Sequence, residues 1–306
     1  MLKTIRRLFN YVEIKTKITS VFPFIMTLGY LFLNGKHIDY LRSIVFFFGM
    51  FLFDLTATTI NNYNDTKNNN QLLAFSRRTS LNITLVLLLL STALGIWLAA
   101  LTDIVVLLAG MLCFFFGIIY SYGPIPISHG PYGEAVSGFF YGALIPFILI
   151  HINAPGWLVS LSLSLDKISL TLNPLPLLGF ILLAVLPFCL TANIMLANNI
   201  CDLEHDTAVR RYTLAYYLKR RAIYLFALLY YTVYASVVMM VILRFLTPLS
   251  LLLLVTFIPV QKNIHSFFMK QDKEETFILS IKNFLLIISV HIILIFLGGL
   301  LPGWGT

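Results

Sequence analysis

The sequence predicts an all-α, multi-pass membrane protein: a transmembrane helical bundle of about nine spans with a cytoplasmic N-terminus. Of its 306 residues, 59% are hydrophobic and only 11% are charged, and the mean hydropathy is +0.88. A soluble domain carries about 25% charged residues. This chain has too little polar surface to coat a water-soluble globule, so lipid must be the solvent for most of it. Residues 1–306 are expected to form a single integral membrane domain.

The N-terminal segment MLKTIRRLFNYVEIKTKITS lacks a small-residue cleavage site after a short apolar core. It is therefore not expected to be a removable signal peptide, but a basic amphipathic segment lying on the membrane surface. The three cysteines, Cys113, Cys189 and Cys201, show no metal-type spacing and predict neither a disulfide framework nor a zinc site.

Nine apolar stretches follow, most of them near the roughly 20 residues that a helix needs to cross the hydrocarbon layer. Each is closed by polar or turn residues, and they cover 17–33, 42–60, 80–101, 104–120, 134–152, 176–198, 221–243, 248–260 and 277–297. The eighth is short and its bounds are the hardest to set. Between the fifth and sixth stretches, apolar and polar residues nearly alternate over 157–172, which predicts a short hairpin or an interfacial flap.

The distribution of Lys and Arg predicts the orientation. When the connections are numbered alternately, 17 of the 21 Lys and Arg residues fall on the side of the N-terminus and four on the other side. Cytoplasmic loops carry such an excess, so the N-terminus is predicted to lie in the cytoplasm and the C-terminus outside. Topology then accounts for the net charge of +8, and nucleic acid is not an expected partner.

Two polar clusters end spans on this predicted cytoplasmic face. The second span ends with Asn61 and Asp65, and the sixth with Asn198, Asp202 and Asp206. Spacings of four place such residues on one face of a helix, where a ladder of carboxylates repels itself unless a cation binds. Mg²⁺ prefers oxygen ligands and is typically held by one or two carboxylates plus substrate phosphates. All five are predicted Mg²⁺ ligands and the three aspartates catalytic; ordinary solvated helix ends are the alternative.

Further charged residues are predicted to line a pocket between the two polar clusters. Asp54 lies 11 residues before Asp65, close to three full turns, so it is expected on the same face at greater depth. Its alternative role is a structural hydrogen-bond anchor between helices. Mg²⁺ ions held by the two clusters could bridge the diphosphate group of a substrate. A diphosphate needs more positive charge than Mg²⁺ supplies, and Arg matches its oxygens well. The candidates for diphosphate binding are Arg211, Arg78, Lys17 and Lys67. For all of them except Arg211, the alternative is that the charge serves only to orient the protein in the membrane.

Two stretches resemble the aspartate motifs of UbiA-type intramembrane prenyltransferases. NNICDLEHDTAVRRYTLA, residues 198–215, is most similar to the second motif of the branch that prenylates 1,4-dihydroxy-2-naphthoate. Arg210 stands where that family usually has Gly, and Arg211 replaces a Lys, so a cation is retained. INNYNDTKNNN, residues 60–70, resembles the first motif, but Asn68 and Asn69 occupy the places of a further Asp. Residues 120–134 and 15–24 resemble two more segments of the family.

The resemblance implies Mg²⁺-dependent transfer of a polyprenyl group from an allylic diphosphate to an aromatic acid, with the active site facing the cytoplasm at the cell membrane. The expected acceptor is 1,4-dihydroxy-2-naphthoate, in menaquinone biosynthesis; 4-hydroxybenzoate or another phenol is the alternative. An allylic cation needs a dry, aromatic pocket. The candidate side chains for that pocket, beside Asp54, are Tyr63, Tyr120, Tyr122 and Tyr141.

Two other classes stay open. A transporter or channel is expected to place ionisable residues at mid-span, often in broken helices. This chain has only Asp54 and His291 in such positions. An inactive relative that binds isoprenoids without chemistry is compatible with Asn68 and Asn69 in the first motif. The expected partners are a polyprenyl diphosphate, an aromatic acid acceptor and the lipid bilayer.

Overall fold

The computed structural model describes residues 2–68, 73–123, 126–164 and 166–302, without the side chains of residues 2–4, 67 and 68. Within these ranges the chain is a bundle of α-helices with one β-hairpin. Nine helical segments of this described part are long and apolar enough to cross a membrane. The predicted all-α, multi-pass fold is therefore confirmed. The spans are Ile14–Leu33, Tyr40–Thr66, Arg77–Leu101, Ile104–Ser121, Gly133–Asn153, Pro174–Cys201, Arg221–Ile242, Pro248–Met269 and Phe277–Gly299.

The first half of the chain contains an amphipathic helix and the first five spans. Its α-helices are α1 (Leu2–Tyr11), α2 (Ile18–Leu33), α3 (Tyr40–Asn68), α4 (Arg77–Leu101), α5 (Ile104–Ser121), α6 (Gly133–Phe139) and α7 (Ile145–Asn153). A 3₁₀ turn at Ile14–Lys17 precedes α2. A π-helical segment, Phe140–Leu144, joins α6 to α7 inside the fifth span.

The second half supplies the remaining four spans and a short helical loop. Its α-helices are α8 (Pro174–Cys201), α9 (Leu203–Ala208), α10 (Leu214–Leu218), α11 (Arg221–Ile242), α12 (Phe257–Met269) and α13 (Phe277–Gly299). The eighth span begins as a 3₁₀ helix at Pro248–Thr256 and continues into α12.

The eighth span is the one whose predicted bounds, 248–260, were clearly too short. It continues to Met269 because α12 is amphipathic, with Ile264 and Phe267 buried and polar side chains such as Lys262 exposed. The continuous apolar sequence ends at about residue 260, where polar residues begin to alternate with apolar ones, but the helix continues to Met269.

The predicted hairpin is present in the connection between α7 and α8. Strand β1 (Val159–Leu163) pairs antiparallel with β2 (Ile168–Leu172), with Val159 opposite Leu172. Because side chains alternate between the faces of a strand, one face of this hairpin is apolar and the other carries Ser and Thr. The apolar face consists of Val159, Leu161, Leu163, Ile168, Leu170 and Leu172.

The site depends on how α3, α8 and the fifth span pack. Helix α3 packs along α4, and α8 packs against α6, α11, α13 and the π-helical segment. The contact with the π-helical segment is very close, since a Cβ placed on Gly142 would lie 2.2 Å from the backbone nitrogen of Phe188. Pro187 precedes that residue inside α8, where proline removes a helix hydrogen bond and bends the chain. These features set the position of Tyr141, which lies in the π-helical segment.

Candidate active site

The two polar clusters meet at one face of the bundle through the loop that follows α5. In this loop, His129 Nε2 lies 3.8 Å from Asp65 Oδ1, at the end of α3. The carbonyl of His129 accepts a hydrogen bond from the amide of Tyr212 at 2.9 Å. The guanidinium Nε of Arg211 donates to the carbonyl of Ser128 at 2.9 Å. One loop therefore joins the first cluster to the connection between α9 and α10, and both clusters lie on the same face.

A cavity of about 620 Å³ opens between these clusters and runs into the bundle. At the cluster end its wall includes Asn61, Asn198, Asp202 and Arg211. It follows α3 as far as Val45, which is 16 residues from Asn61, or about 24 Å of helix at 1.5 Å per residue. The far end is apolar and is lined by Val45, Phe46, Leu98 and Val106. The cavity therefore has a polar end at the clusters and an apolar channel behind it.

The first cluster is held together by hydrogen bonds within α3 and to the end of α5. Asn61 Nδ2 donates to Asp65 Oδ2 at 3.1 Å, and Ser121 Oγ donates to Asn61 Oδ1 at 2.9 Å. Asn64 Nδ2 donates to the carbonyl of Ser121 at 3.1 Å. The carboxylate of Asp65 remains about one-fifth exposed, so it is oriented by its neighbours and still accessible.

The second cluster lies on a helix that is distorted at Asp202, although the amides of Asp202 and Asp206 still bond to the carbonyls of Asn198 and Asp202 at 3.0 and 2.8 Å. Helix α8 ends at Cys201, and Asp202 joins it to α9 with φ −95° and ψ 9°. Asn198 and Asp202 stay together, because the ammonium of Lys273 contacts Oδ1 of the first and Oδ2 of the second. The Asp206 carboxylate lies 3.7 Å from Arg211 Nη1, near enough to Asp202 for the two charges to interact.

Asp206 is a buried carboxylate with one oxygen to spare. Its side chain is 3% exposed, and no described residue hydrogen-bonds to Oδ2. Burial raises the pKa of the Asp206 carboxyl, and the positive charge of Arg211 offsets only part of that rise. A buried, unpaired carboxylate oxygen carries a free-energy penalty unless a cation or donor reaches it. Asp206 is not part of the cavity wall, so this oxygen is an acceptor without a described partner behind that wall.

Asp54 lies deeper along the cavity, as predicted, and it is fully partnered. Lys17 Nζ forms an ion pair with Oδ1 at 2.9 Å, and the Tyr141 hydroxyl donates to the same oxygen at 2.7 Å. Ser20 Oγ donates to Oδ2 at 2.7 Å. Lys17 is only 3% exposed. This predicted diphosphate ligand lines the cavity but pairs with Asp54 and contacts Thr58, one turn before Asn61.

The remaining predicted residues are divided between the cavity and its surroundings. Tyr120 lines the cavity and accepts a hydrogen bond from Ser137 Oγ at 3.3 Å. Tyr63 and Tyr122, also predicted for the pocket, are not part of the cavity wall. The ring of Tyr63 lies beneath the guanidinium of Arg77 at 5.2 Å, and Tyr122 is largely exposed. Arg78 is exposed and makes no hydrogen bond or ion pair with the described side chains. The side chains of Lys67 and Asn68, and all of Asn69, lie outside the described residues.

Arg210 has a backbone conformation that explains why a glycine is common at this position. Its φ is +60°, in the left-handed region that L side chains rarely adopt. The amide of Arg211 donates to the carbonyl of Asp206 at 2.8 Å, which closes the turn after α9. Arg210 therefore adopts this left-handed conformation with some strain.

Four residues at the site were not singled out from the sequence. Ser121, His129 and Ser20 lie within or next to segments whose resemblance had been noted, but their types carried no separate signal. Lys273 lies in the connection before α13 and had counted only toward the orientation. Nothing in the local sequence shows that this connection reaches the end of α8.

The donor chemistry of the clusters fits Mg²⁺ bound together with phosphate oxygens. Among the described residues, no three His, Cys, Asp or Glu side chains converge on one point. The side chains that do line the site offer carboxylate and amide oxygens, and Asp206 Oδ2 is buried without a partner. Lys273 already places a cationic group between Asn198 and Asp202. Since Mg²⁺ retains waters and commonly shares substrate phosphates, an incomplete protein shell is typical of its sites.

This chain is similar to a known protein family and to proteins of known structure. The model of the UbiA prenyltransferase family matches residues 21–301. The chain is 30% identical over 174 residues to the 1,4-dihydroxy-2-naphthoate octaprenyltransferase of Bacillus subtilis (strain 168). That match covers 56% of this chain and 49% of the relative, so it spans about half of the relative's length.

Solved structures share the fold. An apo structure of a UbiA homologue from Aeropyrum pernix K1 has a TM-score of 0.65 at 16% identity, and the match covers 91% of this chain and 98% of that one. A UbiA homologue from Archaeoglobus fulgidus bound to GPP and Mg²⁺ has a TM-score of 0.64 at 15% identity, and the match covers 96% and 100%.

Proposed function

Because the chain belongs to the UbiA prenyltransferase family, we propose that it transfers a polyprenyl group from an allylic diphosphate to an aromatic acceptor in a Mg²⁺-dependent reaction. The observation that carries this proposal is the cavity, which has the polar clusters at one end and an apolar channel about 24 Å long behind them. A polyprenyl diphosphate has the same division into a charged head and an apolar chain. A transporter is expected to bind its substrate near the bilayer midplane, whereas the polar clusters here lie near the ends of α3 and α8.

The diphosphate is proposed to bind between the two clusters. Arg211 is the best placed of the predicted basic residues, because it lines the cavity and its guanidinium is oriented by Ser128 and Asp206. A guanidinium fixed in this way presents N–H groups to phosphate oxygens with little loss of conformational entropy. The proposed metal ligands are Asn61, Asp65, Asn198, Asp202 and Asp206. Bound there, Mg²⁺ would neutralise part of the charge on the departing diphosphate.

The reaction breaks the bond between the allylic carbon and the diphosphate oxygen, and diphosphate leaves. The aromatic carbon of the acceptor then bonds to the allylic carbon and a proton is lost to solvent. With 1,4-dihydroxy-2-naphthoate as acceptor, the ring carboxylate also leaves as CO₂. Tyr120 and Tyr141 line the cavity just behind the clusters. Their ring faces are proposed to stabilise positive charge on the allylic carbon, while the apolar wall excludes water that would quench it. Asp54 holds the Tyr141 hydroxyl and so orients that ring.

We infer that the acceptor is 1,4-dihydroxy-2-naphthoate, which would place the enzyme in menaquinone biosynthesis. Support comes from the relative in Bacillus subtilis, whose name specifies this acceptor, and from the second motif at residues 198–215. The site is proposed to face the cytoplasm, since 17 of the 21 Lys and Arg residues lie on its side of the predicted spans.

Membranes containing the protein test this function. They would be incubated with a polyprenyl diphosphate, Mg²⁺ and either 1,4-dihydroxy-2-naphthoate or 4-hydroxybenzoate, and prenylated products measured by mass spectrometry. We expect product from the naphthoate, loss of product on chelation, and recovery with added Mg²⁺.

Variants make the assay specific to the site. Asp65→Asn and Asp202→Asn are each expected to reduce turnover by at least about 100-fold, the range for removal of one group that stabilises transition-state charge. Asp166→Asn is the matched control, because Asp166 is exposed at the hairpin turn on the opposite face of the bundle. Equal activity in all three variants would contradict the proposed site, and product from 4-hydroxybenzoate alone would contradict the proposed acceptor.

A further inference from the structure

The connection between α12 and α13 is built to hold one lysine against the second cluster. Asp272 Oδ1 accepts hydrogen bonds from the amides of Glu274 and Glu275, both at 2.9 Å. The amide of Asp272 donates to Thr276 Oγ1 at 2.8 Å. These bonds order the turn that contains Lys273 and leads into α13.

Lys273 makes all of its described contacts at the candidate active site. Its ammonium contacts Asn198 Oδ1 and Asp202 Oδ2 together. It also lies 5.0 Å from the centre of the Phe277 ring, which is a cation–π distance. Asn198, Asp202 and Phe277 all line the cavity. The lysine thus occupies the mouth of the cavity, between two of the oxygens assigned to the metal.

A second lysine of the same connection shows that Lys273 is not simply a structural brace. Lys270 is about half exposed and pairs with Glu275 at 2.7 Å and Asp272 at 3.5 Å, within the connection itself. The ion pairs that hold the connection together are therefore made without Lys273, whose charge is directed to the end of α8.

We propose that Lys273 is a tethered cation that balances the charge of Asp202 while the donor is absent and transfers to the diphosphate when donor and metal bind together. This inference rests on the proposed function. A divalent ion and an ammonium group cannot share the same two oxygens without strong repulsion. Metal alone must therefore displace Lys273 into solution, whereas metal with diphosphate provides new anionic oxygens for it. Lys273 thereby couples metal binding to donor binding.

The first experiment measures metal binding without a donor. Mn²⁺, which electron paramagnetic resonance detects in place of Mg²⁺, would be titrated into the purified full-length protein in detergent. Lys273→Gln is expected to bind Mn²⁺ about tenfold more tightly than the unmodified protein, since the competing ammonium is gone. Lys262→Gln is the matched control, because it removes the same charge from an exposed position on α12 and is expected to change nothing. Equal Mn²⁺ affinity in both variants overturns the inference.

The second experiment measures donor binding at saturating Mg²⁺, using geranyl thiodiphosphate as an unreactive probe in calorimetry. Lys273→Gln is expected to bind it about tenfold more weakly, the effect of one charge-assisted hydrogen bond. Lys273→Arg should restore most of the affinity. Unchanged affinity in Lys273→Gln overturns the inference and leaves the proposed function standing. If the unmodified protein and every variant bind neither Mn²⁺ nor the probe, the proposed function fails, and the inference fails with it.

Discussion

At the scale of single residues, the buried pair of Asp54 and Lys17 controls one wall of the cavity. Both side chains are almost fully buried, and each satisfies the other's charge. Ser20 and Tyr141 provide the remaining hydrogen bonds to the carboxylate. A buried ion pair is weak support for stability in itself, but loss of one partner leaves an uncompensated charge. The pair therefore acts as a fixed anchor between α2, α3 and the fifth span.

This anchor predicts unequal effects of two conservative substitutions. Asp54→Asn leaves Lys17 buried without a counter-charge and is expected to lower the free energy of unfolding by roughly 3 kcal/mol. Tyr141→Phe removes one hydrogen bond and is expected to lower it by about 1 kcal/mol. Denaturant titration in mixed micelles measures both. The double variant Lys17→Met, Asp54→Asn should recover most of the loss, and equal losses in the two single variants would contradict the anchor.

Arg210 predicts a stabilising substitution. Its left-handed backbone conformation is disfavoured by about 1–2 kcal/mol for an L residue, and glycine removes that strain. Against this, glycine gives the unfolded chain more conformational entropy, which lowers the free energy of unfolding by about 0.5–1 kcal/mol. Arg210→Gly is therefore expected to raise the thermal unfolding midpoint slightly. Thr207→Gly, inside α9 three residues earlier, should lower it, and a decrease in both variants would contradict the assignment of strain.

At the scale of elements, the close approach of the fifth span to α8 determines where Tyr141 points. The π-helical segment inserts an extra residue per turn, and such segments often occur at functional sites. Gly142 allows the backbone of α8 to approach at Phe188, next to Pro187. The two irregular segments pack against each other, so the aromatic wall of the cavity depends on both.

The packing of Gly142 predicts a steric cost. A methyl group there would overlap the backbone at Phe188, and Gly142→Ala is expected to destabilise the protein by at least about 1–3 kcal/mol. Gly110→Ala is the matched control, because no atom lies within 4 Å of a Cβ at that position. Thermal unfolding in detergent distinguishes the two variants. Equal stability would show that α8 moves away without penalty.

The hairpin predicts a contact with lipid. Two-stranded hairpins are marginally stable in water, yet Ile168 is 74% exposed and its apolar neighbours share one face. That face is expected to lie in the interfacial layer of the bilayer. A fluorophore on Leu170→Cys should be quenched by lipid-borne quenchers, whereas one on Ser162→Cys, on the polar face, should not. Equal quenching at the two positions would contradict the orientation; both measurements need the three native cysteines replaced.

At the scale of the whole molecule, the end of α3 and three connections converge on one face at the mouth of the cavity. The connections follow α5, α8 and α12, and the contacts of their described residues include Asp65 with His129, Tyr212 with His129, and Lys273 with Asp202. The opposite face carries the hairpin. An anionic head bound at the first face and an apolar chain extending toward the second would use the full thickness of the bundle.

The predicted orientation gives a test at this scale. Glu274→Cys, in the connection beside the site, is expected to react with a membrane-impermeant maleimide only after cells are permeabilised. Asp166→Cys, at the hairpin, should react in intact cells. The reverse labelling pattern would place the site outside the cytoplasm and would contradict the orientation predicted from the distribution of Lys and Arg.

Composition and spacing alone determined the class of fold, the positions of most spans and the two clusters that share a face. These features are local or periodic: about 20 apolar residues suffice to span lipid, and polar residues at the ends of the second and sixth spans lie on one side by counting. Hydropathy gave bounds that were too short for the eighth span, because the polar face of α12 lowers its mean hydropathy. It also did not predict the helix distortion at Asp202, because such a distortion does not alter hydropathy.

Only the tertiary structure decided which charged side chains meet. Lys17 and Lys273 carry the same charge on the same side, yet one is buried on Asp54 and the other reaches Asp202. Tyr141 enters the cavity while Tyr122 is exposed. These outcomes depend on helices distant in sequence and on the conformations of their connections. Contacts of that kind arise from packing in three dimensions, and no periodicity along the chain encodes them.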